Sequence, residues 1–504
     1  MLTIRRILAS LSLAIAVGAG AAEPAPASSL PLKKLSLEDA IQQALAKNFS
    51  IKISGFGAEA SRARMIESFG KFDPVLTGQY NFSEDEGATL RDPVTGLRPP
   101  GPETKSDSYD LSLRGLLPWG LTYSLGATSN NTRGTFNLFA DSYSTFAGVS
   151  ATQPLLRGGG FGATTASVRI AMTNSRISEW QYRDAVINTV TRVIFAYNDL
   201  NFAQAVLRSA LRSRELAASL LAENEKRHKV GSMSEFDVTS ARSRLANREE
   251  GIISAERQVR DAENFLKQLI TDERTPELLA YGFELEPVPP APVVVVDAAA
   301  DFRVALEKRP DYQQARLALK RSDINFRLTR NQALPRVDLV GSYGYSGLDP
   351  DFGASRDTVR DEDFRSYSYG AVVSIPLTFT AERGRYRAAK MERRQAETDL
   401  QRVEQDIVVR VGNAAGNIEA TRKRLEAAKR ARELAQYTLD AELKRLRAGT
   451  SSTFFVLQQQ ELLSGAEVSE SRAISDYQKA LAEYDRQLGL TLEKRSIALE
   501  KPRG

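Results

Sequence analysis

Pro74-Val75-Leu76-Thr77-Gly78-Gln79-Tyr80-Asn81-Phe82-Ser83 changes character at every residue. Successive side chains of a strand point to opposite faces. Leu76, Gly78, Tyr80 and Phe82 therefore share one face, and Thr77, Gln79 and Asn81 the other. Leu334 to Ser346 repeats the pattern, with Val337, Leu339, Gly341, Tyr343 and Tyr345 alternating against Asp338, Val340 and Ser342. Tyr143 to Leu155 and Tyr367 to Leu377 are the expected hairpin partners. Between the first pair, Tyr109, Leu111 and Leu113 alternate, then Leu121, Tyr123, Leu125 and Ala127, with Trp119-Gly120 at a turn. Alternating segments of about 10 residues with aromatic ends fit outer-membrane strands. A soluble β-sandwich is the alternative on strand pattern alone. The polar, Pro/Gly/Asp-rich stretches Glu84 to Lys105 and Gly347 to Phe364 read as extracellular loops.

This pattern gives about four strands, or about six if the insert at about 107–130 adds its own, against the 8 or more of known membrane barrels. Open sheet edges are not tolerated in lipid, so the chain is expected to share a barrel with copies of itself. Three copies of four strands would give about 12.

Beside the strands lie segments with a different period. From about Gly162 to Lys229 there is no proline, and apolar residues recur at Val186, Val190, Val193, Tyr197, Leu200, Ala203 and Leu207. Steps of 3 and 4 make a coiled-coil seam. Val403, Ile407, Val411, Ala414 and Ile418 form another, and Ile474, Tyr477, Leu481, Tyr484 and Leu488 a third. A helix of about 65 residues is a rod of roughly 100 Å, and a rod with one narrow apolar stripe must bury it against partners.

The chain also resembles itself. Ala44-Leu45-x-Lys47 recurs as Ala305-Leu306-x-Lys308, and Pro74 as Pro335 at the same spacing. Gly231, Phe236, Val238 and Leu245 match Gly449, Phe454, Val456 and Leu463, again at one spacing. The expected organisation is a signal peptide (1–21) and a first structural repeat (22–286), with strands about 74–155 and a long helix hairpin about 162–272. A proline-rich linker (287–296), a second repeat (297–492) and a tail (493–504) follow. The second repeat holds strands about 334–378 and a hairpin about 384–490. The stretch from Pro74 to Pro154 is roughly twice that from Pro335 to Pro376, so the first repeat carries an insert with further strand signal.

The signal peptide is read from Arg5 and Arg6, the apolar run Ile7 to Val17, and Ala19-Gly20-Ala21 as cleavage site. The run is short of the ~20 residues of a membrane span, which disfavours the alternative of an anchor. Lys+Arg of 68 against Asp+Glu of 63 is near balance and argues against a nucleic-acid binder. The absence of cysteine excludes disulfides, thiolate catalysis, Cys-based zinc sites and a lipid anchor on an N-terminal Cys. With His228 as the single histidine, a metal site would need carboxylates alone, and no tight cluster stands out, so no cofactor is expected. No nucleophile elbow is present, and a triad is not expected either; the chain does not read as an enzyme. Gly158-Gly159-Gly160-x-Gly162 lacks the Lys-Ser/Thr ending of a phosphate loop and reads as a flexible join between strands and first rod.

The order of elements resembles the TolC family of outer-membrane efflux proteins over about Leu35 to Leu490. The motifs are Leu35-Ser36-Leu37-Glu38-Asp39-Ala40, Thr152-Gln153-Pro154-Leu155-Leu156-Arg157-Gly158, and the glycine turns before Phe236-Asp237-Val238 and Phe454-Phe455-Val456-Leu457. The resemblance implies a homotrimer with a 12-stranded barrel in outer-membrane lipid, continued by an α-helical tunnel in the periplasm. It implies a periplasmic adaptor and an inner-membrane pump as partners, in efflux or type I secretion, with no chemistry performed. It places adaptor docking at Val230-Gly231-Ser232 and Ala448-Gly449-Thr450, and a periplasmic gate at Asp237, Ser240, Leu446, Ser451, Phe455 and Gln458. The family's acidic positions fall on Phe455 and Gln458 in the second half, and its latch positions on Leu446 and Ser451. All four depart from the family pattern, so the expectation is a hydrophobic constriction at Phe455, with seam packing as its alternative. Glu235 and Asp237 also fit ordinary first-turn acids favoured by the helix dipole. His228 reads as a solvated surface residue rather than a pH sensor. The competing function is a non-transporting envelope coiled-coil scaffold.

Overall fold

In the computed structural model, which describes residues 31–286, 297–448 and 450–498, long helices run from one side of a twisted sheet. The expected signal peptide (1–21), the linker (287–296), Gly449 and the end of the tail (499–504) lie outside the described residues.

Strand β1 (Leu32–Leu35) leads into α1 (Leu37–Lys47) and α2 (Phe49–Glu67). Ser36 caps α1: its Oγ accepts from Asp39 N–H at 3.1 Å and donates to the Asp39 carboxylate at 2.7 Å. Asn48 ends α1 and starts α2. Its Oδ1 accepts from the Ser50 and Ile51 N–H groups, and its Nδ2 donates to Leu269 O at 2.9 Å. Four strands follow: β2 (Val75–Glu86), β3 (Glu103–Leu116), β4 (Thr122–Gly134) and β5 (Tyr143–Pro154). A short α3 (Phe161–Thr164) opens onto α4 (Ala166–Lys229), of 64 residues, which returns as α5 (Glu235–Ile270), of 36. After β6 (Gly282–Leu285) the same order recurs: α6 (Ala298–Lys308), α7 (Pro310–Gln332), β7 (Arg336–Asp349), α8 (Phe352–Arg360), β8 (Arg365–Ser374), α9 (Thr380–Arg447) and α10 (Thr453–Leu488). The chain then enters α11 (Thr491–Lys494).

Strands β2-β3-β4-β5-β7-β8 form one antiparallel sheet in that order. The sheet holds six strands, so the four-strand count from the clearest alternating segments is too low. The insert supplies β3 and β4, which stand between β2 and β5. Tyr143 to Pro154 is therefore not the partner of β2; β2 pairs with β3, as in Tyr80 opposite Tyr109. Alternation fixes which face a residue takes but not which strand lies alongside. A separate pair, β1 with β6, is parallel and joins residues about Leu32 to others beyond Gly282.

The seam residues are where the rods bury. Val186, Val190, Val193, Tyr197 and Leu200 lie in a core with Ile41, Leu266 and Ile270. Ile407, Val411 and Ile418 pack with Tyr477, Tyr484 and Leu488 in a second core. Burial of a polar group is stabilised only where its hydrogen bonds are made. Tyr197 donates to Leu35 O and Glu286 O at 3.1 and 2.9 Å, tying the first core to the C-terminal ends of both strands of the β1–β6 pair. Its phenol is pushed up to about 12, mainly by burial. Lys267, almost fully buried, donates to Tyr281 O and lies over the Tyr281 and Phe283 rings; burial holds its ammonium below the ordinary range.

The two halves are joined by charge and backbone contacts. Arg486 pairs with Glu483 at 2.6 Å and donates to Asn188 Oδ1 at 3.2 Å. Within the second half, Arg309 pairs with Asp311 at 2.6 Å and donates to Gln487 O at 3.0 Å. The glycine stretch after β5 is the join from sheet to rod, but it is well tied rather than loose. Gly158 and Gly160 take φ of +80° and +83°, which favours glycine. Gly158 N–H donates to Asn331 Oδ1 at 2.8 Å, and Arg157 pairs with Glu382 at 3.3 Å. Alternation and helical period could not reveal α8, a short helix inside a polar loop. Ser355 anchors it by hydrogen bonds to Tyr143 O, Gly347 O and Thr145 Oγ1.

Candidate functional site

The turns at the ends of the rods bring the sequence-derived candidates to one end of the molecule. A cleft of about 690 Å³ separates the two helical hairpins there, with Leu216, Ala241 and Leu439 among its walls beside Phe454, Leu457 and Gln458.

At the first tip, α4 ends on Lys229 and α5 begins on Glu235. Gly231 takes φ +74°, the left-handed conformation in which glycine ends helices at low cost. Its N–H reaches His228 O at 2.9 Å, and Ser232 N–H reaches Arg227 O at 2.9 Å, so orphan carbonyls of the last turn are satisfied. His228 lies exposed with its Nδ1 2.9 Å from Met233 O, a local turn contact. Val230 and Phe236 are both largely exposed. Ser234 starts α5 with a capping box: Asp237 N–H donates to Ser234 Oγ at 3.2 Å, and the Asp237 carboxylate accepts from Ser234 N–H at 3.3 Å and Ser234 Oγ at 2.6 Å. Asp237 is thus engaged with its own helix start. Ser240 is half-buried, one turn further along.

At the second tip, Ala448 N–H donates to Lys444 O and Thr450 N–H to Arg445 O, at 3.1 and 3.0 Å. Gly449 lies outside the described residues. Ser451 Oγ donates to Glu442, which also pairs with Arg445 at 3.2 Å. Leu446 is half-buried, and Gln458 is exposed. Phe454 and Phe455 stand edge to face with ring centroids 5.6 Å apart, and about half of each ring's surface is open. Phe455 therefore has no buried seat within its own chain, whereas Val456 beside it does.

The hairpins are tied across the cleft by contacts the sequence reading missed. Ser209 and Ser464 hydroxyls lie 2.8 Å apart, Arg212 pairs with Glu467 at 3.2 Å, and Arg248 pairs with Glu461 at 3.1 Å. These partners are more than 200 residues apart in sequence, so alternating charge alone could not pair them. Such exposed ion pairs contribute little each, ~0–1 kcal/mol, and can be exchanged for others at low cost. Among the described residues no group of three or more His, Asp and Glu is placed to hold a metal ion. No helix among the described residues is long and apolar enough to cross a membrane.

Comparison with known proteins gives one family and one fold. The model of the outer membrane efflux protein family matches residues 106–271 and 302–490. No curated protein sequence matches the chain. Among solved structures, the CmeC outer membrane channel of Campylobacter jejuni is similar at a TM-score of 0.67 and 16% identity, covering 94% of this chain and 91% of its own. The outer membrane protein VceC of Vibrio cholerae is similar at 0.63 and 15% identity, covering 90% and 96%. The open state of the MtrE outer membrane channel of Neisseria gonorrhoeae is similar at 0.62 and 18% identity, covering 90% and 89%.

Proposed function

The chain belongs to the outer membrane efflux protein family, and from that premise we propose that it is the passive exit duct of a tripartite export machine, gated at its helix tips. Its sheet is embedded in the outer membrane as part of a barrel closed by a homotrimer, and its rods form a tunnel through the periplasm. An inner-membrane pump and a periplasmic adaptor complete the conduit for efflux or type I secretion. The chain is organised as two structural repeats, 22–286 and 297–492.

One observation carries this reading. A sheet that is apolar on one face and, among the described residues, ends in two unpaired edge strands runs directly into helices of 64 and 68 residues. Unpaired edges are excluded from lipid, and single-stripe rods cannot stand alone, so both halves of the molecule call for copies of it.

The gate reading follows from the tips. Asp237 is held in its capping box, which leaves the exposed Phe455 as the group to narrow the tunnel, with Gln458 one turn along the same helix. Hydrophobic constrictions close pores by dewetting. The turns at Val230-Gly231-Ser232 and Ala448-Gly449-Thr450 receive the adaptor, since small residues let a foreign helix approach the backbone. The test is single-channel conductance in planar lipid bilayers, with mass measured in detergent. A stable trimer of small, rarely opening conductance supports the duct. A monomer that never conducts sinks it and leaves an envelope scaffold as the better account.

A further inference from the structure

The resemblance implies four strands per chain and 12 in the wall, but this chain brings six. We propose that three copies close a single 18-stranded barrel (3 × 6 = 18), with β2 of one copy paired antiparallel to β8 of the next. The inference rests on the trimeric duct reading for the number of copies; the strand count and the pairing rest on the sheet itself.

The inserted hairpin has the character of wall. On β3, Tyr109, Leu111 and Leu113 face one side and Ser108, Asp110 and Ser112 the other. On β4, Tyr123, Leu125 and Ala127 continue the apolar side, and Ser124, Thr128 and Asn130 the polar side. Their neighbours carry the same division: Leu76 pairs with Leu113, Leu113 with Leu125, and Leu125 with Val149. A hairpin folded over a mouth would be wet on both faces and would have no use for such a stripe. Its inner turn is fixed to the join between sheet and rod. Gly160 N–H donates to Trp119 O at 2.9 Å, and a Cβ on Gly120 would come within 2.9 Å of Gly158 O.

The apolar band also has the slope of a barrel. Its upper limit is Phe82 on β2 and Tyr367 on β8. Following the ladder back from Tyr367 through Tyr343, Val149, Leu125 and Leu113 leads to Leu76, six residues below Phe82 (82 − 76 = 6). Six residues at ~3.3 Å is about 20 Å of descent, and five strand spacings at ~4.8 Å is about 24 Å of width. The strands thus tilt by roughly 40° from the normal to a level band, within the ~35–45° of membrane barrels.

The two edges fit one another. Neither β2 nor β8 has a second neighbour among the described residues. The strands run in opposite directions and have 12 and 10 residues. Laying all of β8 along β2 with apolar sides matched allows two registers, and setting both Tyr367 and Tyr369 against aromatic residues selects one of them. It sets Arg365 of the partner subunit opposite Glu84, Tyr367 of the partner subunit opposite Phe82, and Tyr369 of the partner subunit opposite Tyr80. Opposite charges and aromatic pairs at facing positions stabilise such a ladder. On the inner face the same register sets Ser368 of the partner subunit opposite Asn81.

Diameter grows about linearly with strand number. At ~4.8 Å spacing and ~40° tilt, 18 strands give a backbone diameter of roughly 36 Å, against roughly 24 Å for 12. The wall of this duct is therefore wider than a 12-stranded one, around a Ser/Thr-rich lumen.

The test is electron microscopy of the native protein in lipid nanodiscs, with the double variant Asn81→Cys/Ser368→Cys in an otherwise cysteine-free chain. The expected results are 18 strands around three copies, and covalent dimers and trimers on oxidation of the double variant but not of either single one. A 12-stranded wall with residues 104–134 outside it overturns the inference and leaves the duct intact. An 18-stranded wall without the cross-link overturns the register alone. Absence of a trimeric barrel overturns the duct reading itself.

Discussion

Replacing Leu125 by arginine places a charge on the apolar face of β4, in the hairpin that sequence alone left unplaced. Leu125 lies between Leu113 and Val149 on that face and is 51% exposed, so shortening or reshaping its side chain leaves little cavity. The cost comes from lipid. An arginine on the lipid side of a barrel near mid-bilayer destabilises by ~2–4 kcal/mol, and on the lumen side by far less. That is about 30- to 900-fold per chain in the folding equilibrium, and it is imposed three times in a trimer. Thr128, three residues along the same strand, faces the polar side opposite Asp110, so Thr128→Arg should stay within ~0.5 kcal/mol of the parent. The assay is denaturant unfolding of each variant inserted in lipid vesicles, alongside the amount of heat-resistant trimer in outer-membrane fractions. Leu125→Arg should lose most of its trimer and Thr128→Arg almost none. Equal behaviour of the two, or the reverse order, would refute the placement of β4 in a lipid-facing wall.

Phe455→Ala should enlarge the closed-state conductance in planar bilayers, and an unchanged conductance would assign Phe455 to seam packing between copies. Gly231→Arg has open space around its Cβ but a left-handed φ, so the strain should stay near ~1–2 kcal/mol. Trimer level should hold while export falls; export at the parent level with trimer intact would count against adaptor docking at this turn. Leu200→Ala removes a fully buried side chain and should cost ~2–5 kcal/mol, read as a lowered melting temperature of the purified protein. Tyr197 titrates near 12 when folded, against ~10 in an unfolded chain. The folded state keeps a proton there that the unfolded state loses, so stability should fall as pH rises from about 10 to about 12. Tyr197→Phe should flatten that slope in thermal melts taken across the window.

Much of this architecture was legible because it is local. The period of two in Pro74 to Ser83 and in Leu334 to Ser346 is a property of consecutive residues, and both segments are strands. Val186 to Leu200 and Ile407 to Ile418 step at helical spacing, and those positions are the ones buried. The sequence also marked the turns that end the long rods, at Gly231 and ahead of Thr453. Partnership was not legible, because backbone ladders between antiparallel strands are chemically alike and pairing depends on what lies across the sheet. Sequence reading set β5 beside β2, whereas the insert separates them and β5 meets β7 from the other half of the chain, nearly 200 residues away. The capping of α5 by Ser234 and Asp237 was partly visible as a first-turn acid. Whether that carboxylate faces its own helix or a pore depends on a side-chain rotamer. What the sequence by itself determined is the face each strand residue takes and the length of each rod, since both follow from repeat distance along one chain. Only the tertiary structure decided the order of the six strands and the two edges left open, because those are settled by contacts between segments that repeat distance does not relate.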